Sequence, residues 1–272
     1  MPDIVDPTRH PEEDEAHRCQ FCSYRGTLTR EHVWPWALRR HFPEHTRAVH
    51  ETGSTGQASA IPGTTWHAPA FTTRVKIDCH ACNHDRLEKI ERQAVPYIVP
   101  MARGVPAPGG LQLDAQRKVA AFALRMIAVG QYTHPQLRPV PRNHREHLML
   151  NLSPPQRMEV WAFCCDVGDL RGAIHLQAGM QRLARPGERL PDWANAYRGI
   201  LRIGHLVLEL AARNDGQTFP AIHQDGRAFV RLWPVDFTRI GVWPPVRLLS
   251  EQEFEARLAS FDEAQTVWPR PV

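Results

Sequence analysis

Four of the six cysteines in this 272-residue chain fall into two Cys-x2-Cys pairs, Cys19/Cys22 and Cys79/Cys82. Two such turns joined by a long intervening stretch offer four thiolates, the donor set that zinc takes in a tetrahedral structural site. Disulfide pairing is the competing use, but no early apolar stretch is long enough for a secretory leader, and no later run approaches membrane-spanning length. The reading is a structural Zn2+ on Cys19, Cys22, Cys79 and Cys82 in a cytoplasmic protein. Between the pairs stands Glu31-His32, followed by Pro35, and directly after the second pair stands Asn83. A neutral imidazole can take a proton from water at ordinary pH. Asn83 precedes a helical pattern and suits its N-cap.

Taken together, Cys19-x2-Cys22, Glu31-His32 with Pro35, Cys79-x2-Cys82 and the run Cys82-Asn83-His84-Asp85-Arg86-Leu87-Glu88 resemble the HNH endonuclease family, the ββα-metal nucleases. The resemblance covers about residues 19–104. It implies a metal-dependent endonuclease that hydrolyses phosphodiester bonds in DNA. That chemistry needs a base to activate water and a cation to stabilise the charge that builds on phosphate and leaving oxygen. By resemblance His32 is the base. Glu31 and Asn83 are ligands of a catalytic Mg2+ or Mn2+, with His84 as a further ligand if Asn83 serves only as a cap. Arg30, Arg74 and Arg86 are placed to meet nucleic acid. One departure stands out. The family's middle asparagine, which orients the base, has no counterpart in residues 70–78. The alternative reading is therefore a zinc-stabilised nucleic-acid-binding protein without catalysis. A scaffold in which zinc serves stability alone is the third. Since such a core cuts one strand per site, double-strand cleavage would imply a homodimer or two successive encounters.

The formal net charge of +4, from 33 Lys and Arg against 29 Asp and Glu, argues only weakly for a nucleic-acid partner. The excess of arginine over lysine suits bidentate phosphate contacts, and equally a G·C-rich coding bias. Twenty-four prolines cut the chain into short elements.

The elements that would position these residues follow from patterning. Residues 1–18 read as a loose acidic tail. Residues 28–33 read as a strand bearing Glu31-His32, with a helix from Pro35 to about Phe42, and residues 44–69 read as loop on their Gly, Pro, Ser and Thr content. A strand over 70–77 leads into the second cysteine pair, and a helix follows from Asn83, with a short second piece bracketed by Pro96 and Pro100. A Pro-Gly linker at 105–110 separates this zinc-stabilised ββα unit from a second α+β domain, 111–272, whose role is targeting or self-association. There Asp114 caps a helix over 115–129, and Ser153 caps another that carries Met158, Trp161 and Ala162. Residues 173–177, 200–210 and 228–233 are strand candidates, the second one long strand or a misread helix. Ser250 to Glu253 is a capping box opening a helix over about 251–261. Trp34 and Trp36 read as packing of the small core rather than base-stacking groups. His67 and His80 read as surface residues, and Cys164 as core.

Overall fold

The computed structural model describes residues 18–42, 48–52, 64–68, 70–133, 138–166, 168, 174–184, 189, 191, 194–215, 217, 226–235, 241–262 and 265–267. For 48–52, 64–68, 70, 260–262 and 265–267 it describes backbone alone. Residues 1–17 of the expected tail lie outside that set, as does the His67 side chain. The fold is mixed α+β.

Strand β1 (Leu28–His32) leads through Pro35 into a single helical turn, α1 (Trp36–Arg39). This helix is shorter than its sequence suggests. Residues 44–69, expected as loop, contain β2 (Ala48–Thr52) and β3 (Thr64–Ala68), paired antiparallel as a hairpin. Threonine and β-branched content within a Gly- and Ser-rich stretch carries that pairing, and composition alone does not reveal it. A 3-10 turn at Ala70–Thr72 precedes β4 (Arg74–Cys79), which pairs antiparallel with β1 as a separate two-stranded sheet. A bulge between Thr29 and Arg30 leaves Ile77 out of the ladder, and the Ile77 carbonyl accepts from the Gln20 N–H at 2.8 Å. The first cysteine turn is thus tied to β4 by main chain as well as by its sulfurs.

Helix begins before Asn83. A π-helical stretch, Ala81–Leu87, runs directly into α2 (Glu88–Ala102), and the Glu88 N–H bonds the Asn83 carbonyl five residues back. Asn83 is therefore inside the helix and not its cap, a correction to the sequence reading; no side-chain cap closes this terminus. Pro96 and Pro100 both lie within α2 rather than bracketing a separate piece. After a turn through Gly104, whose φ of +70° suits glycine, α3 (Leu113–Gly130) crosses the centre of the molecule. Gln112 holds the N-cap position without a side-chain cap bond, and Asp114, expected there, sits in the first turn, paired with Arg117 and Lys118.

The chain then forms α4 (Arg142–Asn151), starting immediately after Pro141, and β5 (Glu159–Cys164). Trp161 and Ala162 belong to that strand and not to a helix. The two prolines at 154–155 end the helical region instead of opening one. β6 (Ile174–Ala184), β7 (Ala196–Ile203), β8 (Leu206–Arg213) and β9 (Phe229–Trp233) follow, then α5 (Glu251–Asp262) and β10 (Gln265–Val267). The expected long strand at 200–210 is in fact β7 and β8 joined by a tight turn in which Gly204 takes φ +57°. Six strands form one sheet in the order β10-β6-β7-β8-β5-β9, antiparallel except for β10 against β6. The capping box holds: Ser250 N–H donates to Glu253 Oε2 at 2.8 Å, and Glu253 N–H donates to Ser250 Oγ at 3.2 Å.

α3 is buried on nearly every side because it packs against α2 on one flank and the six-stranded sheet on the other. Gly199 in β7 lets the sheet approach closely; a Cβ there would stand 2.7 Å from Ile127 Cγ1. One cluster of buried side chains runs from Cys19 and Phe21 through Leu87, Ile98 and Phe122 to Leu208 and Trp243. Among the described residues, no helix is long and apolar enough to cross a membrane.

Candidate metal centre and its surroundings

Cys19 and Cys22 stand on the tight turn before β1. Cys79 ends β4, and Cys82 follows one turn into the helical stretch. The turn is fastened by Cys19 N–H to the Tyr24 carbonyl at 2.8 Å and Ser23 N–H to the Cys19 carbonyl at 3.1 Å. All four sulfurs lie within 4.8 Å of one another, and Cys22 Sγ is 3.6 Å from Cys79 Sγ. A tetrahedron with Zn–S of about 2.3 Å has edges of about 3.8 Å, so the spacing fits a thiolate-bound zinc. Cys19, Cys79 and Cys82 are buried while Cys22 is exposed. As thiols they crowd one another. The Cys19 thiol is drawn down to about 4, chiefly by a hydrogen bond from Cys82, while burial pushes Cys22 up to about 11. Cys82 is pushed up, first by that same hydrogen bond and then by burial. A divalent cation removes the conflict by compensating all four thiolates at once.

The β1–β4 ladder divides the remaining candidate residues between two faces. Arg30 opposite Lys76 and His32 opposite Arg74 lie on the outer face, whereas Glu31 opposite Val75 points inward. Glu31 and His32 thus stand back to back.

On the inner face Glu31 is 5 % exposed and meets a residue that the sequence reading passed over, Arg125 of α3, which is wholly buried. The Arg125 guanidinium pairs with Glu31 and with Glu91 of α2, and donates to the carbonyls of Val33 at 2.8 Å and His32 at 2.9 Å. Glu91 contacts it closely but without an aligned hydrogen bond. Burial pushes the Glu31 carboxyl up against the pull of Arg125, and it pushes Glu91 up to about 7. The one available signal was a charged residue set in the apolar run Ala120 to Val129, since a buried arginine requires acidic partners.

Asn83 faces the same side. Its Nδ2 donates to Thr29 Oγ1 at 2.9 Å, and that hydroxyl donates to Asp78 Oδ1, also at 2.9 Å. A hydroxyl has one proton, so Thr29 must accept from Asn83, and the Asn83 Oδ1 is turned away from it. Asp78 is fully buried, its Oδ2 has no partner among the described residues, and burial pushes its carboxyl up to about 7. His84 is exposed, its ring tilted 41° against His80 with centroids 4.3 Å apart, and its Nδ1 lies 3.7 Å from Glu88.

On the outer face Arg74 Nε donates to His32 Nε2 at 2.9 Å, with the Trp36 ring 5.4 Å away. Arg74, expected to meet nucleic acid, acts here as donor to the imidazole, leaving the ring proton on Nδ1. Burial, then the Arg74 and Arg125 charges, hold His32 below its ordinary range, so it is neutral at neutral pH. Replacing Arg74 by Ala should raise the His32 pKa toward the usual value of about 6.5. An NMR pH titration of the ring protons reads this; an unmoved pKa would mean that Arg74 does not set the charge state of this histidine. Arg30 and Arg86 are exposed, Arg30 on β1 and Arg86 in the helical stretch after Cys82.

Comparison with protein-family models, with curated proteins and with solved structures finds no match for this chain.

Proposed function

We propose that this protein is an HNH-type endonuclease that hydrolyses phosphodiester bonds in DNA with Mg2+ or Mn2+, its ββα unit held together by zinc on Cys19, Cys22, Cys79 and Cys82. The observation that carries the reading is the antiparallel β1–β4 pair running straight into a helix, with the four cysteines together at one end and a neutral, half-buried His32 on its open face. His32 takes the proton from the attacking water. In the resting protein Arg74 engages the Nε2 lone pair that this step needs. A phosphate is a stronger acceptor for a guanidinium than an imidazole is, so substrate arrival draws Arg74 off and leaves the base free. Arg74 therefore holds the ring in the resting protein and, once drawn off, receives phosphate with Arg30 and Arg86.

The donors proposed for a catalytic cation are the hard oxygens of Asn83 and the Glu31 carboxylate, with the borderline His84 imidazole beside them; Glu31 stands on the face of β1 opposite His32, so the two serve one phosphate only if the backbone turns at that pair. Asn83 fits this part because Thr29 holds its amide nitrogen, which leaves its oxygen turned away from that hydroxyl. Glu31 enters with one oxygen already committed to Arg125. When bound, Mg2+ or Mn2+ supplies charge stabilisation for the phosphate and the leaving oxygen. The Glu31–Arg125 pair also favours a second reading, a zinc-stabilised DNA-binding protein that does not cut, because a carboxylate already neutralised by arginine is a weaker ligand. Nicking of supercoiled plasmid by the zinc-loaded protein separates the two. Cutting that appears on adding Mg2+ or Mn2+ and stops on their removal supports the nuclease. DNA retained but never cut supports the binding protein.

A further inference from the structure

Tryptophan exposure is uneven here. Trp34, Trp161, Trp233 and Trp243 are each 8 % exposed or less, but Trp36 is 47 % exposed. Packing explains Trp34. It does not explain Trp36, which stands at the start of α1 beside His32. An open surface groove of about 500 Å³ lies there, lined among the described residues by Trp36, Ala37, Arg39 and Arg40. That size lies within the range of small-ligand pockets, roughly 300–1,000 Å³. The Arg39 guanidinium lies 4.5 Å from the indole centroid. The surroundings carry one sign of charge: Arg39 and Arg40 on the helical turn, Arg30, Arg74 and Lys76 on the open face of the hairpin. Between 28 and 42 and between 74 and 77 the one carboxylate is Glu31, and it is buried with Arg125.

An exposed indole among guanidiniums is the arrangement that holds unpaired bases, the flat ring stacking on the base while the cations follow the phosphates. In an intact duplex the flat faces of the bases are covered by their neighbours and are closed to such a ring. Resting on the nuclease reading above, we propose that the Trp36 groove takes an unpaired nucleobase next to the scissile phosphate, so that the protein acts on single-stranded or locally unpaired DNA. Arg39 then leaves the indole face for the backbone, and Arg40 flanks it.

The test is fluorescence anisotropy of a labelled single-stranded oligonucleotide and of its duplex, with zinc-loaded protein and no Mg2+ or Mn2+ added, so that nothing is cut. Wild type should prefer the single strand. Trp36→Ala should weaken single-strand binding by about tenfold to a hundredfold, the usual range for losing one stacked base, and leave duplex binding unchanged. Trp36→Phe should keep most of the affinity. Zinc content and circular dichroism of both variants check that they fold. Equal single-strand binding by Trp36→Ala, or a wild-type preference for duplex, overturns the groove while leaving cation-dependent cutting intact. Wild type that binds neither form overturns the nuclease reading itself, and the groove with it.

Discussion

Stripping zinc from this protein should unfold the β1–β4 unit. Metal analysis of the purified chain should return one tightly held zinc. Removal by a strong chelator should abolish hydrogen-exchange protection at the amides of Leu28–His32 and Arg74–Cys79. The reasoning is local. The hairpin has two strands, too few to stand alone in water. Its register is fixed at one end by four sulfurs within 4.8 Å. Structural zinc in comparable small sites contributes apparent binding energies of about 10–16 kcal/mol at neutral pH, much of which is folding energy. Cys82→Ser should have the same effect, since it removes a buried ligand. Protection in β6, β7 and β8 should outlast it, because that sheet has its own antiparallel ladders and α3 against it. Affinity should fall as pH falls, because every ligand must lose a proton. Protein that folds fully and identically without metal would contradict this.

Arg125→Ala should be the most damaging single change away from the cysteines, at about 3–5 kcal/mol in urea unfolding, the scale for breaking a buried ion pair from one side. It strands Glu31 and leaves the carbonyls of His32 and Val33 without the donor that joins them to α3. Combining Arg125→Met with Glu31→Leu and Glu91→Leu should recover part of the loss, since a wholly apolar replacement removes the stranded charge. Recovery stays partial because the two carbonyls remain unpaired, at about 1–3 kcal/mol each. The pH dependence has a definite sign. Glu91 has a raised folded value of about 7, so folding takes up a proton, and this site's contribution is full below the ordinary carboxyl range and is lost as pH rises through 7. Without Arg125 both carboxyls rise further, so the variant should lose stability with rising pH more steeply than wild type. A parallel slope would argue against the ion pair.

How much of this was legible beforehand depended on how local the signal was. The cysteine pairs announce themselves because each turn is complete within four residues, and the capping box at Ser250 is equally self-contained. The β2–β3 hairpin is hidden because its pairing partners lie about sixteen residues apart in a stretch whose Gly and Ser content imitates loop. The turn that splits 200–210 is two residues, Gly204 and His205, inside one unbroken apolar pattern. At the site, the types and spacing of Glu31, His32 and Asn83 are plain, and the alternation of a strand already requires Glu31 and His32 to face apart. Their partners are not plain. Arg74 sits across the ladder at a register set by a bulge, and Arg125 comes from a helix 94 positions away from Glu31. Both contacts are made by tertiary packing, and no local pattern encodes them.

The nuclease account stands on His32. The measurement that reaches it most directly is the nicking rate of zinc-loaded wild type against His32→Ala, side by side on supercoiled DNA with saturating Mg2+ or Mn2+. Loss of a positioned base costs about a hundredfold or more, and the substitution lies on the outer face, away from the four sulfurs. The account predicts a rate lower by that factor at equal zinc content. Equal rates in the two proteins, or no cutting by wild type with either cation, would contradict it.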